Sequence, residues 1–291
     1  MSSLSIIAPL LAALSLTGAL TATHRRLAPE RSARVMTASL VLILAAAIPT
    51  VLILGMSFLT HLPLVGNSLQ WCSELVGVHD DVAAWLGLPA IVAIVAGTIR
   101  GARVYVMHQR LVEHLSTEPE LTPHEQPFAV TLPGRGGHII VSTGLADLLD
   151  QRELDVVMAH ELTHARHRHD RYLLVAKLAT AIMPPLRPLA TGIEFSLERW
   201  ADEAAAAACG SREFVAHTLA EVAVGSPIPQ PTLGFTGLGV TARMQALLRP
   251  TTTASDRPAR AGLGITMAAT AMMATYQLHH LAALAAALCP S

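Results

Sequence analysis

Residues 158–170 read MAHELTHARHRHD and crowd four histidines and two acidic residues between apolar flanks. Within this stretch, His160, Glu161 and His164 form the pattern HExxH. On a helix, positions four apart lie on one face about 6 Å apart along the axis, so both imidazoles can reach one metal ion. Glu161 is offset by one position, where it can deprotonate a water. The stretch predicts a helical zinc site, and a solvated polar helix face is the alternative.

A second motif lies downstream, in FSLERWADEAAA at residues 195–206. A catalytic zinc site needs three protein ligands and one open position. Glu198 can complete the ligand set. Asp202, one helical turn later, can accept a hydrogen bond from a ring nitrogen of His160 and so fix its tautomer. Two separate motifs with compatible spacing favour zinc over the solvated helix face.

The remainder of the chain is unusually apolar. Only 14% of its 291 residues are charged and 52% are hydrophobic, whereas soluble domains carry about 25% charged residues. The first apolar stretch has no basic residue before it, so we expect a retained helix and not a cleaved signal peptide. Four stretches are long enough to cross a bilayer core that needs roughly 20 residues: 4–22, 37–60, 82–99 and 262–288.

Basic residues predict the orientation of these spans. All 20 lysines and arginines fall within residues 23–36 or 100–261, and the loop 61–81 has none. Cytoplasmic segments are enriched in lysine and arginine. We therefore expect a multi-pass protein of a bacterial plasma membrane, with both termini outside and residues 100–261 in the cytoplasm.

The cysteines divide by compartment under this topology. Cys209 falls inside, and Cys72 and Cys289 fall outside, where the environment can be oxidising. A disulfide between the two outer cysteines and simple apolar packing of both are equally compatible with the sequence.

The fold class that follows is mainly α: four transmembrane helices and one cytoplasmic α+β domain of zincin-like type. The domain carries both motifs. Three regions are expected: 1–99 with three transmembrane helices, 100–261 as the cytoplasmic domain, and 262–291 with the fourth transmembrane helix and the outer C-terminus.

Local patterns predict the elements of the cytoplasmic region. Residues 127–149, PFAVTLPGRGGHIIVSTGLADLL, predict a strand, a glycine-rich turn, a second strand and the start of a helix. For residues 172–191, which hold three prolines and two basic residues, an interfacial helix and a shallow hairpin both stay open. The other expectations are a helical continuation of the third span over 100–115, helices at about 152–168 and 194–208, and a partly irregular arm at 225–260.

The stretch STGLADLLDQRELDVVMAHELTHARHRHD at 142–170, followed by LERWADEAAA at 197–206, resembles the membrane-embedded gluzincin metallopeptidases. These are family M48, which includes heat-shock and CAAX-prenyl proteases, and family M56, the beta-lactam sensors. Three spans before the motifs and one after them favour M56.

The resemblance covers about residues 127–210. It implies that His160, His164 and Glu198 are the zinc ligands and that Glu161 is the catalytic base. It also implies that residues around 131–142 form an edge strand that receives an extended substrate.

The predicted function is an integral-membrane zinc metalloendopeptidase (EC 3.4.24 type). It would hydrolyse peptide bonds of cytosolic or membrane-proximal proteins with a zinc-activated water and Glu161 as general base, regulatory signalling being one setting. The alternative is a non-catalytic zinc-binding membrane scaffold or signalling protein, against which the intact Glu161 argues.

The expected partners are a protein or peptide substrate and the lipid bilayer. A net charge of −1 and the lack of a basic stripe argue against nucleic acid, and the sequence sets no oligomeric state. An oxyanion donor is expected among His167, Arg199 and residues 225–245. We expect His167 and His169 to form a cytoplasmic, membrane-facing polar cluster, with extra metal ligation as the alternative.

Overall fold

The computed structural model describes residues 3–60, 86–115, 120–133, 137–225, 237–249 and 257–288. The described chain is mostly helical and has one small sheet. Cys72, Cys289 and the loop 61–81 lie outside the described residues. The helices are α1 (Ser3–Thr23), α2 (Pro29–Thr60), α3 (Gly87–Leu115), α4 (Thr143–Leu148), α5 (Gln151–His167), α6 (His169–Ile182), α7 (Arg187–Cys209), α8 (Arg212–Gly225), α9 (Gly237–Leu248) and α10 (Arg257–Leu288); the strands are β1 (Leu121–Thr122), β2 (Ala129–Thr131) and β3 (Ile139–Ser142).

Helices α1, α2, α3 and α10 lie at the four positions predicted to span a membrane. Among the described residues, Pro29–Met56 and Gly87–His114 are long and apolar enough to cross a bilayer. Helix α2 packs against α1, α3 and α10. Helix α3 continues without a break to Leu115, which confirms that the third apolar stretch extends beyond residue 99. Two apolar helices are therefore seen, and four membrane spans stay a prediction.

The sheet has the strand order β1-β3-β2. Strand β3 pairs in parallel with β1 and antiparallel with β2, with Val130 opposite Ile140. The expectation of an edge strand around residues 131–142 is therefore wrong for β3, which is the central strand, and β2 keeps one free edge within the described sheet. Ser142 ends β3 and caps α4, because its hydroxyl accepts a hydrogen bond from Leu145 N. The predicted order of strand, strand and helix is confirmed on both sides of residues 134–136, which lie outside the description.

Helix α5 carries the HExxH motif and has well-defined ends. It begins with a capping box in which the Asp150 side chain accepts from Glu153 N and the Glu153 side chain accepts from Asp150 N. It ends at Arg168, whose φ of 53° places it in the left-handed region. The helix therefore covers Gln151–His167, one residue from the predicted range at each end.

Residues 172–191 form a helical hairpin. Helix α6 ends at Ile182, a 3-10 turn covers Pro184–Leu186, and α7 begins at Arg187. Two consecutive prolines lack the backbone N–H groups that would continue α6. Pro188 lies in the first turn of α7, where a helix tolerates proline. Helix α7 thus starts seven residues before the predicted residue 194.

The largest described core cluster joins the apolar helices to the motif-bearing ones. Leu16 of α1, Met36 and Leu40 of α2, and Leu189 and Ile193 of α7 are all fully buried in this one cluster. The hydroxyls of Ser32 and Ser196 also lie 2.9 Å apart across the contact between α2 and α7. Helix α7 is therefore positioned by direct packing on α1 and α2.

Candidate metal centre

His160 and His164 of α5 and Glu198 of α7 converge on one point. The two histidine Nε2 atoms lie 3.1 Å apart. Glu198 Oε2 is 3.5 Å from His160 Nε2, and Glu198 Oε1 is 3.5 Å from His164 Nε2. Both histidines are buried, and the three side chains can each offer one ligand atom to a shared ion. The structure thus brings together all three residues that the sequence predicted as ligands.

These separations fit a tetrahedral zinc ion. Bonds of 2.0–2.1 Å in tetrahedral geometry hold neighbouring ligand atoms about 3.3–3.4 Å apart, close to the observed 3.1–3.5 Å. Two imidazoles and one carboxylate are also the donor set that zinc prefers in catalytic sites with one open position, so the residues present fit a zinc ion.

A second group of possible ligands does not share these features. His217 Nδ1 lies 3.7 Å from Glu153 Oε1, and His217 Nε2 lies 3.9 Å from Glu221 Oε1. The side chains of His217 and Glu221 are 63% and 41% exposed. The Glu153 carboxylate is already used in the α5 capping box. Of the two groups in the described residues, the HExxH cluster is the more buried one.

Asp202 lies beside His160, as the sequence predicted. Its Oδ1 is 3.1 Å from His160 Nδ1, on the side of the ring away from Glu198. Burial opposes charge on His160, but the Asp202 and Glu198 carboxylates outweigh burial and raise its pKa to about 9. Asp202 can therefore hold a proton on Nδ1 and leave Nε2 directed at the ligand cluster.

Arg243 of α9 completes the charge pattern, and the sequence analysis did not single it out. The side chain is 2% exposed. Its Nε and Nη2 donate to the two oxygens of Asp202 at 2.8 and 2.6 Å, and its Nη1 lies 2.9 Å from Glu198 Oε2. Burial would raise the pKa of Asp202, but the adjacent guanidinium holds it well below its usual range. Arg243 thus neutralises part of the negative charge that would surround a metal ion.

The arm at 225–260 is thereby more ordered than predicted, since it contains helix α9. A signal was present in the sequence: Val240, Arg243 and Leu247 are all buried and follow helical spacing. An arginine in the middle of an apolar helix stripe indicates a buried acidic partner.

His169 lies in the interior, beside the proposed ligand His164. It is fully buried, and its Nδ1 lies 2.8 Å from Nδ1 of His164. Burial lowers the pKa of both His164 and His169 to about 3, so both rings are neutral. A hydrogen bond between the two Nδ1 atoms would keep a proton on His164 Nδ1 and free its Nε2 for a metal. His167, by contrast, is exposed and packs on Trp200.

Glu161 is buried beside the ligands and is held by β2. Thr131 Oγ1 donates to Glu161 Oε2 at 2.7 Å and lies 2.8 Å from the Glu161 carbonyl oxygen. Burial raises the pKa of Glu161, and the Glu198 carboxylate adds to the increase, while His160 and Thr131 oppose it. A carboxylate with a raised pKa beside a metal site is suited to accept and release a proton.

The structure places the candidate oxyanion donors in different surroundings. Arg199 pairs with Glu203 at 3.9 Å, and His167 is exposed. The described part of the 225–245 segment contributes Arg243, which lies against Glu198 and Asp202.

The sequence model of Peptidase family M48 matches residues 120–185 of the chain. Over this stretch, called the M48 segment below, the chain is similar to peptidase family M48. The M48 segment contains His160, Glu161 and His164, and it ends before Glu198. Because M48 enzymes are metallopeptidases, the M48 segment implies a metal at this cluster. Of the two predicted families, the comparison supports M48. It does not support M56, the family that the number of apolar stretches favoured.

Two curated relatives share the M48 segment. The Protease HtpX homolog of Aquifex aeolicus (strain VF5) is 41% identical over 80 residues, which are 26% of this chain and 25% of that protein. The Protease HtpX homolog of Acidiphilium cryptum (strain JF-5) is 33% identical over 111 residues, 35% of this chain and 39% of that protein. The chain thus matches well under half the length of these relatives. No solved structure is significantly similar to it.

Proposed function

We propose that this protein is a membrane-bound zinc metalloendopeptidase that cleaves cytosolic or membrane-proximal proteins. One observation carries the proposal. His160 Nε2, His164 Nε2 and the Glu198 carboxylate oxygens lie 3.1–3.5 Å apart, close to the spacing around a tetrahedral zinc ion, and the buried Glu161 carboxylate is on the same helix as the two histidines. His160, His164 and Glu198 would hold zinc, Asp202 would orient His160, and Glu161 would be the general base.

Each side chain has a distinct part in the proposed reaction. Zinc, when bound, polarises the scissile carbonyl and makes water more acidic. Glu161 Oε1 or Oε2 takes the proton of the attacking water and passes it to the nitrogen of the leaving amine. Asp202 keeps the proton of His160 on Nδ1, and Arg243 holds Asp202 and Glu198 in place. The free edge of β2 can pair with an extended substrate through main-chain hydrogen bonds.

The scaffold alternative is weaker because of Glu161. A protein that only bound zinc would have no use for a third carboxyl group, beyond those of Glu198 and Asp202, next to the histidines. Burying one without a purpose is costly, yet Glu161 is 4% exposed and is held by a dedicated hydroxyl.

Removal of the metal tests the proposal. Chelator-treated protein should lose cleavage of an unfolded protein substrate, and one equivalent of zinc should restore it. Because Nε2 of His160 must lose its proton before it binds zinc, and its pKa is raised to about 9 without metal, acid should compete with zinc. The apparent zinc affinity should rise about tenfold per pH unit from pH 7 to 9 and level off above that. Full proteolysis by verified zinc-free protein would contradict the proposal.

For the membrane topology, we propose residues 1–99 as the membrane region, 100–261 as the cytoplasmic domain and 262–291 as the last span with an outer C-terminus. Support comes from the two apolar helices and from the confinement of lysine and arginine to residues 23–36 and 100–261. The bilayer would be a bacterial plasma membrane, with the N-terminus outside.

Cysteine labelling checks this topology with residues already in the chain. Cys209 is exposed, and Cys72→Ser with Cys289→Ser leaves it as the single thiol. We expect a membrane-impermeant maleimide to label this variant in inside-out vesicles and not in intact spheroplasts. The matched variant that keeps Cys72 alone should show the opposite pattern. Labelling of Cys209 in intact spheroplasts would reverse the orientation.

A further inference from the structure

We propose that Thr131 is a positioning residue that fixes the orientation of the Glu161 carboxyl group from the edge strand. The inference rests on the proposed function, because it assigns Thr131 a role in the proton transfer by Glu161. The carrying observation is that one hydroxyl faces two oxygens of the same residue: Thr131 Oγ1 is 2.7 Å from Glu161 Oε2 and 2.8 Å from the Glu161 carbonyl oxygen.

The position of Thr131 in the fold makes this contact rigid. It is the last residue of β2 and pairs with Ile139 of β3, so its backbone is fixed by the sheet. Its side chain is partly buried and reaches across to α5, the helix that carries Glu161. The contact therefore ties the edge strand directly to the proposed general base.

The chemistry follows from the inventory of a hydroxyl, which has one proton to donate and lone pairs to accept. While Glu161 is ionised, Thr131 Oγ1–H donates to Oε2, a hydrogen bond strengthened by the charge. The other oxygen, Oε1, is not part of this contact and can take the proton of the attacking water. The hydroxyl also lies within hydrogen-bond distance of the Glu161 carbonyl oxygen, which keeps it beside the residue.

The proton that Glu161 accepts on Oε1 passes to the leaving amine, and Thr131 keeps its own proton. Without the hydroxyl, the buried Oε2 would lose this donor, which would cost free energy. Thr131 thus keeps the base in one orientation during the transfer.

Three single variants of the zinc-loaded, full-length protein test the role. Thr131→Val removes the hydroxyl and keeps the shape, and Thr131→Ser keeps the hydroxyl. Thr163→Val is the matched control. Thr163 is a buried threonine of α5, the helix that carries Glu161, and its hydroxyl donates to the Ala159 carbonyl oxygen of that helix. With an unfolded protein as substrate, we expect Thr131→Val to lower kcat by about 10–100-fold, with KM within about twofold and bound zinc unchanged. Thr131→Ser should restore most of kcat, and Thr163→Val should resemble wild type.

A second measurement needs no turnover. In the metal-free protein, Thr131→Val should lower the thermal midpoint by about 2–4 °C, and the same change should have little effect when Glu161→Ala has already removed the carboxyl group. This difference reports the contact between the two side chains directly.

The outcomes separate the inference from the proposed function. Wild-type kcat in Thr131→Val, an effect on KM alone, or failure of Thr131→Ser to restore kcat would each overturn the inference and leave the protease proposal standing. If wild type cleaves nothing, the proposed function fails. Additive midpoints of Thr131→Val and Glu161→Ala would overturn the contact itself, whether or not the protein is a protease.

Discussion

Glu161→Gln should abolish proteolysis while the protein keeps its zinc. An amide cannot take a proton from water, so the loss of general-base catalysis should lower kcat by about 10²–10⁴-fold. Glutamine has the same size and can still accept a hydrogen bond from Thr131, so the local structure should persist. His160, His164 and Glu198 are untouched, and the zinc content should stay at one equivalent. The measurement is kcat on an unfolded protein substrate beside metal analysis of the same sample.

Glu213→Gln is the matched control for this change. Glu213 is an exposed residue in the first turn of α8, and its variant should cleave like wild type. If Glu161→Gln were as active as Glu213→Gln at equal zinc content, the hydrolysis would not depend on Glu161. The zinc-binding scaffold would then be the better account of this chain.

The parts of this structure that the sequence predicted are those set by local patterns. Helix α5 could be placed to within one residue because its ends are encoded nearby, by the Asp150 and Glu153 capping box and by a histidine-rich last turn. Strands β2 and β3 follow from two short apolar runs around a glycine-rich turn. The ligand cluster could be predicted because the spacing of His160 and His164 fixes one helix face, and Glu198 was the acidic residue that fitted a second one.

The burial of His169 depends on the turn that follows α5. Arg168 takes a left-handed conformation there, which is uncommon for a residue other than glycine or asparagine. That turn starts α6 and brings His169 back under His164. The φ angle of Arg168 therefore decides where His169 lies, and an arginine at this position does not predict such an angle.

Arg243 was missed because its partners are distant in sequence. Its contact with Asp202 spans 41 positions, and no motif links the two residues. Three prolines and one glycine between residues 226 and 236 also favoured the prediction of an irregular arm. Tertiary ion pairs of this kind become visible only when the packing of α7 and α9 is known.

This ion pair leads to the second large expected effect: Arg243→Met should strongly destabilise the metal-free protein. Methionine preserves length and apolar packing but leaves the Asp202 carboxylate buried with only His160 beside it. Breaking a buried ion pair from one side costs about 3–5 kcal/mol in free energy of unfolding. Arg249→Met is the matched control, since Arg249 is exposed just beyond the end of the same helix, and it should unfold like wild type.

The pH dependence of the Arg243→Met effect identifies its cause. In wild type, Arg243 helps to keep the pKa of Asp202 below the unfolded value, so this part of the stability is present above about pH 4 and is lost as pH falls through the folded pKa. In the variant, Asp202 can escape its unpaired charge by taking a proton. The difference in thermal midpoint between Arg243→Met and wild type should therefore be large at pH 8 and shrink towards pH 5, and Asp202→Asn in the same chain should recover part of it. A constant difference across this range would instead mean that Arg243 acts through packing. If Arg243→Met had the same thermal midpoint as Arg249→Met, Arg243 would not stabilise the buried carboxylates beside the metal centre.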